Sequence, residues 1–565
     1  MQLSEQEIIR REKLQTLEKM GINAFPAEEY KITKTTKSIK QDFVEGKKVT
    51  IAGRLMSRRI QGKASFAELQ DSEGKIQVYF NRDEICTGDD KTLYNDVYKH
   101  LLDIGDIIGI EGELFSTQVG EMTVKVTNFK ILTKSLRPLP QAKTDENGVT
   151  HDAFNDPELR YRQRYVDLIV NPQVKEVFIK RTKLFNAMRT YFNNAGYFEV
   201  ETPILQAIPG GAAAKPFITH HNALDIPLYL RIANELYLKR LIVGGFDGVY
   251  EFSKNFRNEG MDRTHNPEFT AMEIYVAYKD YNWMMDFTEK LLEFSAIQVN
   301  GSTESTFGEH TINWKAPYPR VSMTESIQHF TGFDITGKSE QELFDFARSI
   351  GVEVNETMGK GKLIDEIFGE KCEGNYIQPT FITDYPIEMS PLTKKHRSKE
   401  GLTERFELMV CGKEIANAYS ELNDPIDQRE RFEKQVELGQ KGDDEAMFID
   451  QDFLRALEYG MPPTSGLGIG MDRLIMYLTN NPSIQEVLFF PQMKPEKATP
   501  TFELDADEKL VLEILNSSEE PMTLGVVKVK SQLSGKKWDK AAKNLTKYNL
   551  VKVEKIDDVV LMKLL

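Results

Sequence analysis

The spacing of apolar positions changes several times along the chain, and each change predicts a different kind of element. Near the start, Ile8, Ile9, Leu14 and Leu17 fall near a spacing of three to four residues, which predicts an amphipathic helix over 4–20. From Val49 onward, apolar and polar residues alternate in short runs that Gly and Asp turns separate, which predicts five β-strands. These runs are 49–57, 64–70, 75–80, 107–115 and 122–132. Five short strands within about 85 residues favour a small closed barrel.

The middle of the chain mixes long helical patterns with strand patterns. A long helix is predicted over 172–195, and a further helix begins at about Asp472. Strands are predicted around 248–258, 268–278, 405–421 and 464–470. This mixture predicts one large α+β domain over 155–500.

The last 65 residues read as a separate small module. Helices are predicted over 505–516, 525–533 and 536–548, followed by two short strands at 551–553 and 559–562. That order is typical of a winged helix, although short helices followed by a hairpin also arise by chance. The polar segments 31–48 and 135–150 read as linkers. The predicted organisation is therefore a helix and linker (1–48), an OB-fold barrel, the commonest barrel of this size (49–135), a linker (136–154), the large domain (155–500) and the C-terminal module (501–565).

Composition narrows the class of protein. The chain has 565 residues, of which 40% are hydrophobic, and a formal net charge of −15. Three cysteines in such a length exclude a disulfide framework and a cysteine-rich zinc site. Neither an apolar run long enough to span a membrane nor the apolar core of a signal peptide is present in the sequence. We therefore expect a cytoplasmic protein that does not contact a membrane.

The negative charge is unevenly distributed. Residues 1–140 carry a net charge of +1 and residues 501–565 a net charge of zero, so the middle of the chain carries −16. An acidic total argues weakly against a nucleic-acid partner, but the two balanced ends leave that possibility open.

A polar hairpin in the middle of the large domain is the first candidate site. The segment Asn255–Gly260 joins two predicted strands, and on the second strand Phe269, Glu273 and Tyr275 share one face. An aromatic ring, an acid and a phenol make a poor apolar core but can stack a flat ring and bind a cation. On the first strand Arg257 and Glu259 also share a face, and a guanidinium can bind phosphate or carboxylate with two nitrogens. A solvated hairpin with surface charges is the alternative.

A glycine-rich segment, Gly466-Leu-Gly-Ile-Gly-Met-Asp-Arg473, is the second candidate site. Its spacing is not that of a dinucleotide-binding loop, and the stretch 359–362 is not a phosphate-binding Walker loop. Alternate glycines within a strand instead indicate a close approach of backbone and ligand, next to a helix that carries Arg473.

These two segments resemble motifs 2 and 3 of the class II aminoacyl-tRNA synthetases. Gly196–Pro203 resembles motif 1, which in that class forms the dimer interface, so the resemblance implies a homodimer. The segments 208–212, 231–239 and 414–423 are similar to class II lysyl-tRNA synthetases in particular. Related bacterial enzymes usually carry Pro where this chain has Asn234.

The resemblance implies activation of lysine by ATP and its transfer to lysine tRNA. By similarity, Arg257 bridges the α-phosphate and the lysine carboxylate, and Phe269 stacks on adenine. Arg473 covers the other face of the adenine, while Glu259 and His265 contact the adenine amino group and the outer phosphates. Mg²⁺ is the implied cofactor, with Glu407 and Glu414 as candidate ligands. If 410–413 turns as a hairpin, these two carboxylates face each other; a pair of repelling surface glutamates is the alternative.

The resemblance also implies an amino-acid pocket rich in carboxylates. By similarity, Glu421 and Tyr275 bind the ε-ammonium of lysine, and Glu235 binds the α-ammonium together with the Gly211 carbonyl. Glu273, Asn417 and Tyr419 complete the expected pocket. A site for aspartate would need a cation where Glu421 lies, and that strand offers none.

The barrel resembles the anticodon-binding domain of the same family. A turn at Ser72–Glu73 would pair Glu68 with Gln77 and place Phe66 on the same face, where an aromatic ring and an amide can bind a base. By similarity, Phe66, Gln77 and Glu121 bind the central anticodon base, while Arg58 and Arg59 contact phosphates. The alternative is that Phe66 belongs to the barrel core.

Two other functions remain open from sequence. A related enzyme could transfer lysine to a protein, and an inactive relative could bind tRNA or amino acids as a regulator. The barrel argues against the first of these, and the intact set Arg257, Glu259, Phe269 and Arg473 argues against the second. The stretch 528–555 carries nine lysines against Asp539 and Glu554. It predicts contact with RNA, a solvated face or a docking domain.

Overall fold

The computed structural model divides the chain into two units, Met1–Pro491 and Gln492–Leu565. Among the described residues the first unit holds four apolar cores, and the second holds one. The structure describes residues 3–140, 143–144, 150–151, 154–212, 214–355, 358–440, 448–495, 504–518, 521–547, 550–556 and 559–564.

The chain begins with the predicted helix, α1 (Glu5–Lys19). Ser4 caps this helix, because its hydroxyl accepts the Glu7 amide while the Glu7 carboxylate accepts the Ser4 amide. The segment 31–48, predicted as a linker, contains a second helix, α2 (Thr36–Gln41). Only Thr36 and Ile39 of this helix are buried, so it has too few apolar positions to show a helical period in the sequence.

A closed five-stranded barrel follows, with strand order β1-β2-β3-β5-β4. The prediction of an OB-fold is confirmed, and each observed strand overlaps its predicted run. Sequence reasoning missed the short helix α3 (Arg82–Ile85) and a π-helix over Leu93–Leu101, which lie between β3 and β4. The strands are β1 (Lys48–Gln61), β2 (Ala64–Gln70), β3 (Lys75–Asn81), β4 (Ile107–Ser116) and β5 (Met122–Thr133).

Nine of the 19 residues of the predicted linker 136–154 lie outside the described residues. Two short paired strands, β6 (Lys143–Thr144) and β7 (Thr150–His151), fall within it.

The large domain is built on an eight-stranded, mostly antiparallel sheet of order β16-β17-β18-β19-β20-β13-β12-β8. Its predicted central strands are present, with a hairpin in place of the single run 405–421. β9 to β11 form a smaller sheet, and β14 pairs with β15. The strands are β8 (Phe198–Glu199), β9 (Leu205–Gln206), β10 (Ile218–His221), β11 (Ile226–Leu230), β12 (Gly248–Phe256), β13 (Glu268–Ala277), β14 (Glu304–Phe307), β15 (His310–Asn313), β16 (Arg320–Ser322), β17 (Thr380–Thr383), β18 (Arg405–Val410), β19 (Lys413–Ser420) and β20 (Thr464–Gly470).

Helices surround this sheet, and the predicted long helix is α6. Short 3₁₀ turns lie at Glu373–Asn375 and Ile387–Met389. Among the described residues, no helix combines the length and the apolar character needed to cross a membrane. The helices are α4 (Pro157–Arg162), α5 (Arg164–Val170), α6 (Pro172–Asn194), α7 (Glu235–Val243), α8 (Tyr281–Asn300), α9 (Met323–Thr331), α10 (Glu340–Ser349), α11 (Lys360–Lys371), α12 (Pro425–Gln440), α13 (Gln451–Glu458), α14 (Met471–Thr479) and α15 (Ile484–Val487).

The two faces of the large sheet differ in polarity. On β13, Met272 and Ile274 point into an apolar core that includes residues of α6, α8 and α14. Glu273 and Tyr275 alternate with them and therefore point to the opposite face. The sheet thus separates an apolar core from a polar face that can carry chemistry.

The C-terminal unit has its own small core around Trp538 and Val511. Its elements follow the predicted order and add a short strand, and the three strands form a sheet of order β21-β23-β22. The assignment of this unit as a winged helix stays a prediction. The elements are α16 (Ala506–Asn516), β21 (Met522–Thr523), α17 (Leu524–Ser531), α18 (Gly535–Lys547), β22 (Val551–Ile556) and β23 (Val559–Leu564).

One buried carboxylate joins three elements of the large domain. Asp472, in the first turn of α14, accepts the backbone amide of Thr270 on β13 at 2.6 Å. Its other oxygen lies 2.7 Å from the Arg181 guanidinium on α6, whose second nitrogen donates to the Thr270 hydroxyl at 3.2 Å. This cluster fixes the ends of the strands next to Phe269 and Arg473.

Replacing this carboxylate tests its structural role. We expect Asp472→Asn to lower the free energy of unfolding by about 3 kcal/mol, because a buried guanidinium loses its counter-charge. Asp286→Asn, which breaks an exposed ion pair with Arg320, should change it by less than about 1 kcal/mol. Thermal unfolding of both variants measures the difference, and equal shifts in the midpoint would refute the role given to Asp472.

Candidate active site on the polar face of the sheet

Two rows of side chains cross the middle of the sheet on its polar face. In the first row, Tyr275 on β13 and Tyr419 on β19 lie on either side of Gly466 on β20. Glu273 and Asn417 form the next row on that face, again on either side of a glycine. Three neighbouring strands therefore bring together four of the residues expected in the amino-acid pocket.

Gly466 makes room for the side chains beside it. A Cβ on this residue would lie 2.2 Å from Oε1 of Glu421 and 2.4 Å from Cε1 of Tyr275. The alternate glycines predicted a close approach of backbone and ligand. At Gly466 two protein side chains approach the backbone closely, and the approach of a ligand to the alternate glycines stays a prediction.

Three carboxyl groups are buried around these rows. Glu235, Glu273 and Glu421 are 5%, 8% and 2% exposed. Gly211 borders the same space, since a Cβ on it would lie 3.1 Å from the Cβ of Glu235. The tyrosines bind two of the acids: Tyr419 donates to Glu235 at 2.7 Å, and Tyr275 donates to Glu273 at 3.0 Å.

A fully buried lysine, which sequence reasoning missed, lies between two of these acids. The ammonium of Lys239 donates to Glu235 at 2.5 Å and also forms an ion pair with Glu421. The Glu235–Lys239 pair spans one turn of α7, so the i,i+4 spacing of acid and base was the available signal. The contact with Glu421 joins residues far apart in sequence and left no such signal.

The pocket contains more acidic than basic side chains. Burial raises the pKa of Glu273 to about 8, and the nearby charge of Glu235 adds to the rise. Burial also raises the pKa of Glu421 well above its usual value. Burial favours the neutral amine of Lys239, but the charges of Glu235 and Glu421 outweigh it and raise the pKa. Three carboxyls and one ammonium suit a ligand that brings further positive charge.

A second buried network supports the pocket from β12. Glu251 forms an ion pair with Arg231 at 2.7 Å and accepts the Thr202 hydroxyl at 2.7 Å. Its second oxygen also accepts the side-chain amide of Asn234 at 2.9 Å. The departure from the family pattern at Asn234 thus adds a hydrogen bond next to Glu235.

The residues expected to bind a nucleotide lie where β12 ends and where β13 begins. β12 ends at Phe256, so Arg257 and Glu259 lie in the loop that follows. The prediction that these two residues lie on the strand is therefore wrong. The guanidinium of Arg257 lies 5.1 Å from the centre of the Phe269 ring. The Glu259 carboxylate accepts the backbone amide of Lys215 at 3.4 Å.

Arg473 brings the motif 3 helix to the same place. One of its nitrogens donates to the carbonyl of Glu414, and another lies 3.4 Å from Nε2 of His265. The other ring nitrogen of His265 lies 2.8 Å from Asp262. One edge of the pocket thus carries the guanidinium groups of Arg257 and Arg473 and the ring of Phe269. Two cations beside an aromatic ring suit a phosphate-bearing ligand.

The two candidate magnesium ligands do not face each other directly. Glu407 pairs with Asn417, whereas Glu414 pairs with Met409. Ile415 has no partner in this ladder, and such a bulge reverses the side-chain alternation. Glu414 thereby lies on the same face as Glu407.

Their electrostatics fit a hard cation. Burial raises the pKa of Glu407 to about 7, with the Glu414 charge as the second cause, although Arg405 donates to Glu407 at 2.5 Å. Within the described ranges no group of three or more His, Cys, Asp or Glu side chains could hold a metal ion. A magnesium ion at this pair would therefore need other oxygen ligands, such as phosphate oxygens or water.

On the barrel, the register agrees with the prediction from the turn at 72–73. Glu68 pairs with Gln77 and Phe66 with Tyr79, with the two rings 5.0 Å apart. Phe66 is half-buried and lies outside the barrel core, whereas Ala67 belongs to it.

The other polar residues expected on the barrel have mixed surroundings. Glu121 and Arg59 are exposed. Arg58 donates to the carbonyl of Tyr98 and is therefore less free to reach a ligand.

Comparison with known proteins agrees with this geometry. A family model described as tRNA synthetases class II (D, K and N) matches residues 156–494, and one described as an OB-fold nucleic acid binding domain matches residues 49–132. A curated protein of Christiangramia forsetii named "Lysine--tRNA ligase" is 73% identical over 563 residues, which cover 100% of this chain and 98% of that one. One of the same name from Porphyromonas gingivalis W83 is 66% identical over 517 residues, covering 91% and 89%.

A shorter relative is also similar. The protein of that name from Azobacteroides pseudotrichonymphae is 63% identical over 498 residues, which cover 88% of this chain and 99% of the relative. The family match spans more than half of the chain, and the first relative spans all of it. The chain therefore belongs to the class II tRNA synthetases of the D, K and N group.

Proposed function

We propose that the chain is a lysine–tRNA ligase, which activates L-lysine with ATP to form lysyl-adenylate and pyrophosphate and then transfers lysine to the 3′ end of lysine tRNA. The observation that carries this proposal is the excess of acids in the pocket: Glu235 and Glu421 share the ammonium of Lys239, and Glu273 contacts a tyrosine hydroxyl but no cation among the described residues. A ligand with two ammonium groups balances this excess. The curated relatives named "Lysine--tRNA ligase" support the same choice.

The same groups disfavour aspartate, the acidic amino acid among the three that the family description names. Lys239 is a cation in the pocket, but it is fully buried and already bridges Glu235 and Glu421. The carboxylate of an aspartate side chain would meet Glu273 and Glu421 without a cation of its own. Leaving like charges desolvated in this way costs several kcal/mol.

In this proposal the side chains divide between the two ammonium groups. Glu421 and Tyr275 bind the ε-ammonium, while Glu235 and the Gly211 carbonyl bind the α-ammonium. The remaining residues that complete the pocket are Glu273, Asn417 and Tyr419. Because the tyrosine hydroxyls already hold Glu235 and Glu273, the acids are oriented before the ligand arrives.

The first chemical step needs positioning and not a general base. The carboxylate of lysine is ionised at neutral pH, so it can attack the α-phosphate without losing a proton. Arg257 bridges this carboxylate and the α-phosphate, and Phe269 stacks on the adenine ring. Glu259 binds the adenine amino group, while His265 and Arg473 hold the outer phosphates of ATP. The positive charge of Arg473 stabilises the transition state as negative charge develops on the leaving pyrophosphate.

Magnesium belongs to the proposal through Glu407 and Glu414. A divalent cation supplies charge neutralisation of the phosphates when it is bound. The two carboxylates would hold it at the edge of the pocket next to Arg473.

The barrel is proposed to bind the anticodon of lysine tRNA. Phe66 would stack on the central base, and Gln77 and Glu121 would bind its edge, while Arg59 would contact a phosphate. The support is the half-exposed ring of Phe66 on a face that also carries Gln77.

We also propose that the protein is a cytoplasmic homodimer. Motif 1 and the strands after it expose several large apolar side chains, which a partner subunit would cover. The exposed residues are Phe198, Ile204, Leu205, Ile218 and Phe246.

The proposed function is tested by two measurements on the whole protein. ATP–pyrophosphate exchange should depend on L-lysine, and the protein should then charge lysine tRNA. Exchange without charging of tRNA would instead favour an enzyme that transfers lysine to a protein. Absence of exchange, with lysine or tRNA still bound, would favour an inactive regulator; either outcome contradicts the proposal.

The role of Glu421 gives a sharper prediction. Glu421→Gln should raise the KM for lysine on the order of 100-fold or more, because an ammonium would be buried against a neutral group. The KM for ATP should stay the same, since Glu421 lies away from the nucleotide residues.

Glu268→Gln, on the exposed end of β13, is the matched control and should change neither constant. Thermal unfolding of both variants shows whether they fold, because Glu421 also pairs with Lys239. An equal loss of affinity for lysine and ATP would contradict the assigned role.

A further inference from the structure

The charges of the C-terminal unit are separated along its sequence. Residues 501–520 hold one lysine and seven acidic residues, whereas residues 521–565 hold ten lysines and four acidic residues. Residues 501–565 are neutral in total, so the positive and negative charges of this segment are separated and not in excess. One part of this small unit is strongly basic on a chain whose net charge is −15.

Four of these ten lysines form a stripe on one helix. Four lysines of α18, which we call the α18 lysine stripe, follow one another at intervals of four, three and four residues, so they share one face. All four are exposed, and they extend about 16 Å along the helix. They are Lys536, Lys540, Lys543 and Lys547. The opposite face packs Trp538, Ala541 and Leu545 into the core of the unit.

Few carboxylates neutralise the stripe. Lys540 pairs with Asp505 at 3.0 Å and remains 68% exposed. In the part of the chain that the structure describes, Lys536, Lys543 and Lys547 form no ion pair with a carboxylate. The stripe is therefore available to a polyanion.

The chemistry of the exposed face favours a nucleic acid over a protein partner. The stripe lies among small and polar residues, including Thr546, and offers no exposed aromatic or large apolar side chain on that helix. The centres of protein–protein interfaces are rich in aromatic and apolar anchors and poor in lysine. Evenly spaced ammonium groups instead suit the phosphates of a nucleic-acid backbone.

We propose that the α18 lysine stripe binds the sugar–phosphate backbone of tRNA as a second, sequence-independent contact, in addition to the contact proposed for the barrel. This proposal rests on the proposed function, because tRNA is the polyanion on which such a ligase acts. In this proposal the aminoacylation itself does not require the contact. The relative from Azobacteroides pseudotrichonymphae is matched over 99% of its length by 498 of the 565 residues of this chain. We infer that the residues without a counterpart include this unit.

The test compares two variants of the full chain that lose the same charge. The stripe variant carries Lys536→Gln, Lys540→Gln, Lys543→Gln and Lys547→Gln. The control replaces four exposed lysines of the large domain by Gln: Lys183, Lys290, Lys362 and Lys434. Binding of lysine tRNA and of an unrelated tRNA is measured at several salt concentrations, without ATP or lysine.

The proposal predicts a smaller salt dependence for the stripe variant only. Each lost phosphate contact reduces the slope of log K against log salt by about 0.7 to 0.9. We expect the slope to fall by about 2 to 3 for both tRNAs and the lysine-dependent exchange of pyrophosphate to stay unchanged. An unchanged slope, an equal fall in the control, or a fall with lysine tRNA alone would overturn the proposal. Binding of tRNA is measured separately from activity. Absence of pyrophosphate exchange in the wild-type protein would therefore refute the proposed function, while the salt dependence of tRNA binding would still test the stripe.

Discussion

Carboxylates buried on one face of an antiparallel sheet are the constraint on which the rest of the site depends. Glu251 has Arg231 as its counter-ion, and Glu235 and Glu421 share Lys239. Glu273 has a tyrosine hydroxyl but no cation in direct contact among the described residues, and its pKa rises to about 8. A buried carboxylate without a cation is unfavourable when ionised. The buried acids of the pocket therefore favour the binding of a cationic ligand.

Other contacts of the large domain fix the position of this pocket relative to the residues that are proposed to bind the nucleotide. Asp472 ties α6 and β13 to α14, and the residue after it is Arg473. The guanidinium of Arg473 in turn contacts the carbonyl of Glu414 and His265. A single buried ion-pair cluster thus sets the distance between the ring of Phe269, the guanidinium of Arg473 and the candidate metal ligands.

Local patterns predicted the elements, and long-range contacts decided what sequence reasoning missed. The alternation on β13 placed Glu273 and Tyr275 on one face, and the turn at 72–73 predicted the Glu68–Gln77 pair. The bulge at Ile415 leaves no periodic signal, so the expected opposition of Glu407 and Glu414 was wrong in detail. The position of Lys239 depends on Glu421, which is more than 180 residues away, and no local spacing encodes that contact. The resemblance to a known family supplied the roles that neither kind of pattern contains.

Proton release on lysine binding tests the central claim most directly. At pH 7 the carboxyl of Glu273, with a pKa near 8 in the free protein, is mostly protonated, and the arriving ammonium groups should lower that pKa. Calorimetric titration with L-lysine, in buffers of different ionisation enthalpy, should then show release of roughly one proton at pH 7 and less at pH 8. Glu273→Gln should abolish most of this release. Binding of lysine with no proton release, or with proton uptake, would contradict the claim that a buried acid of the pocket ionises when the cationic ligand binds.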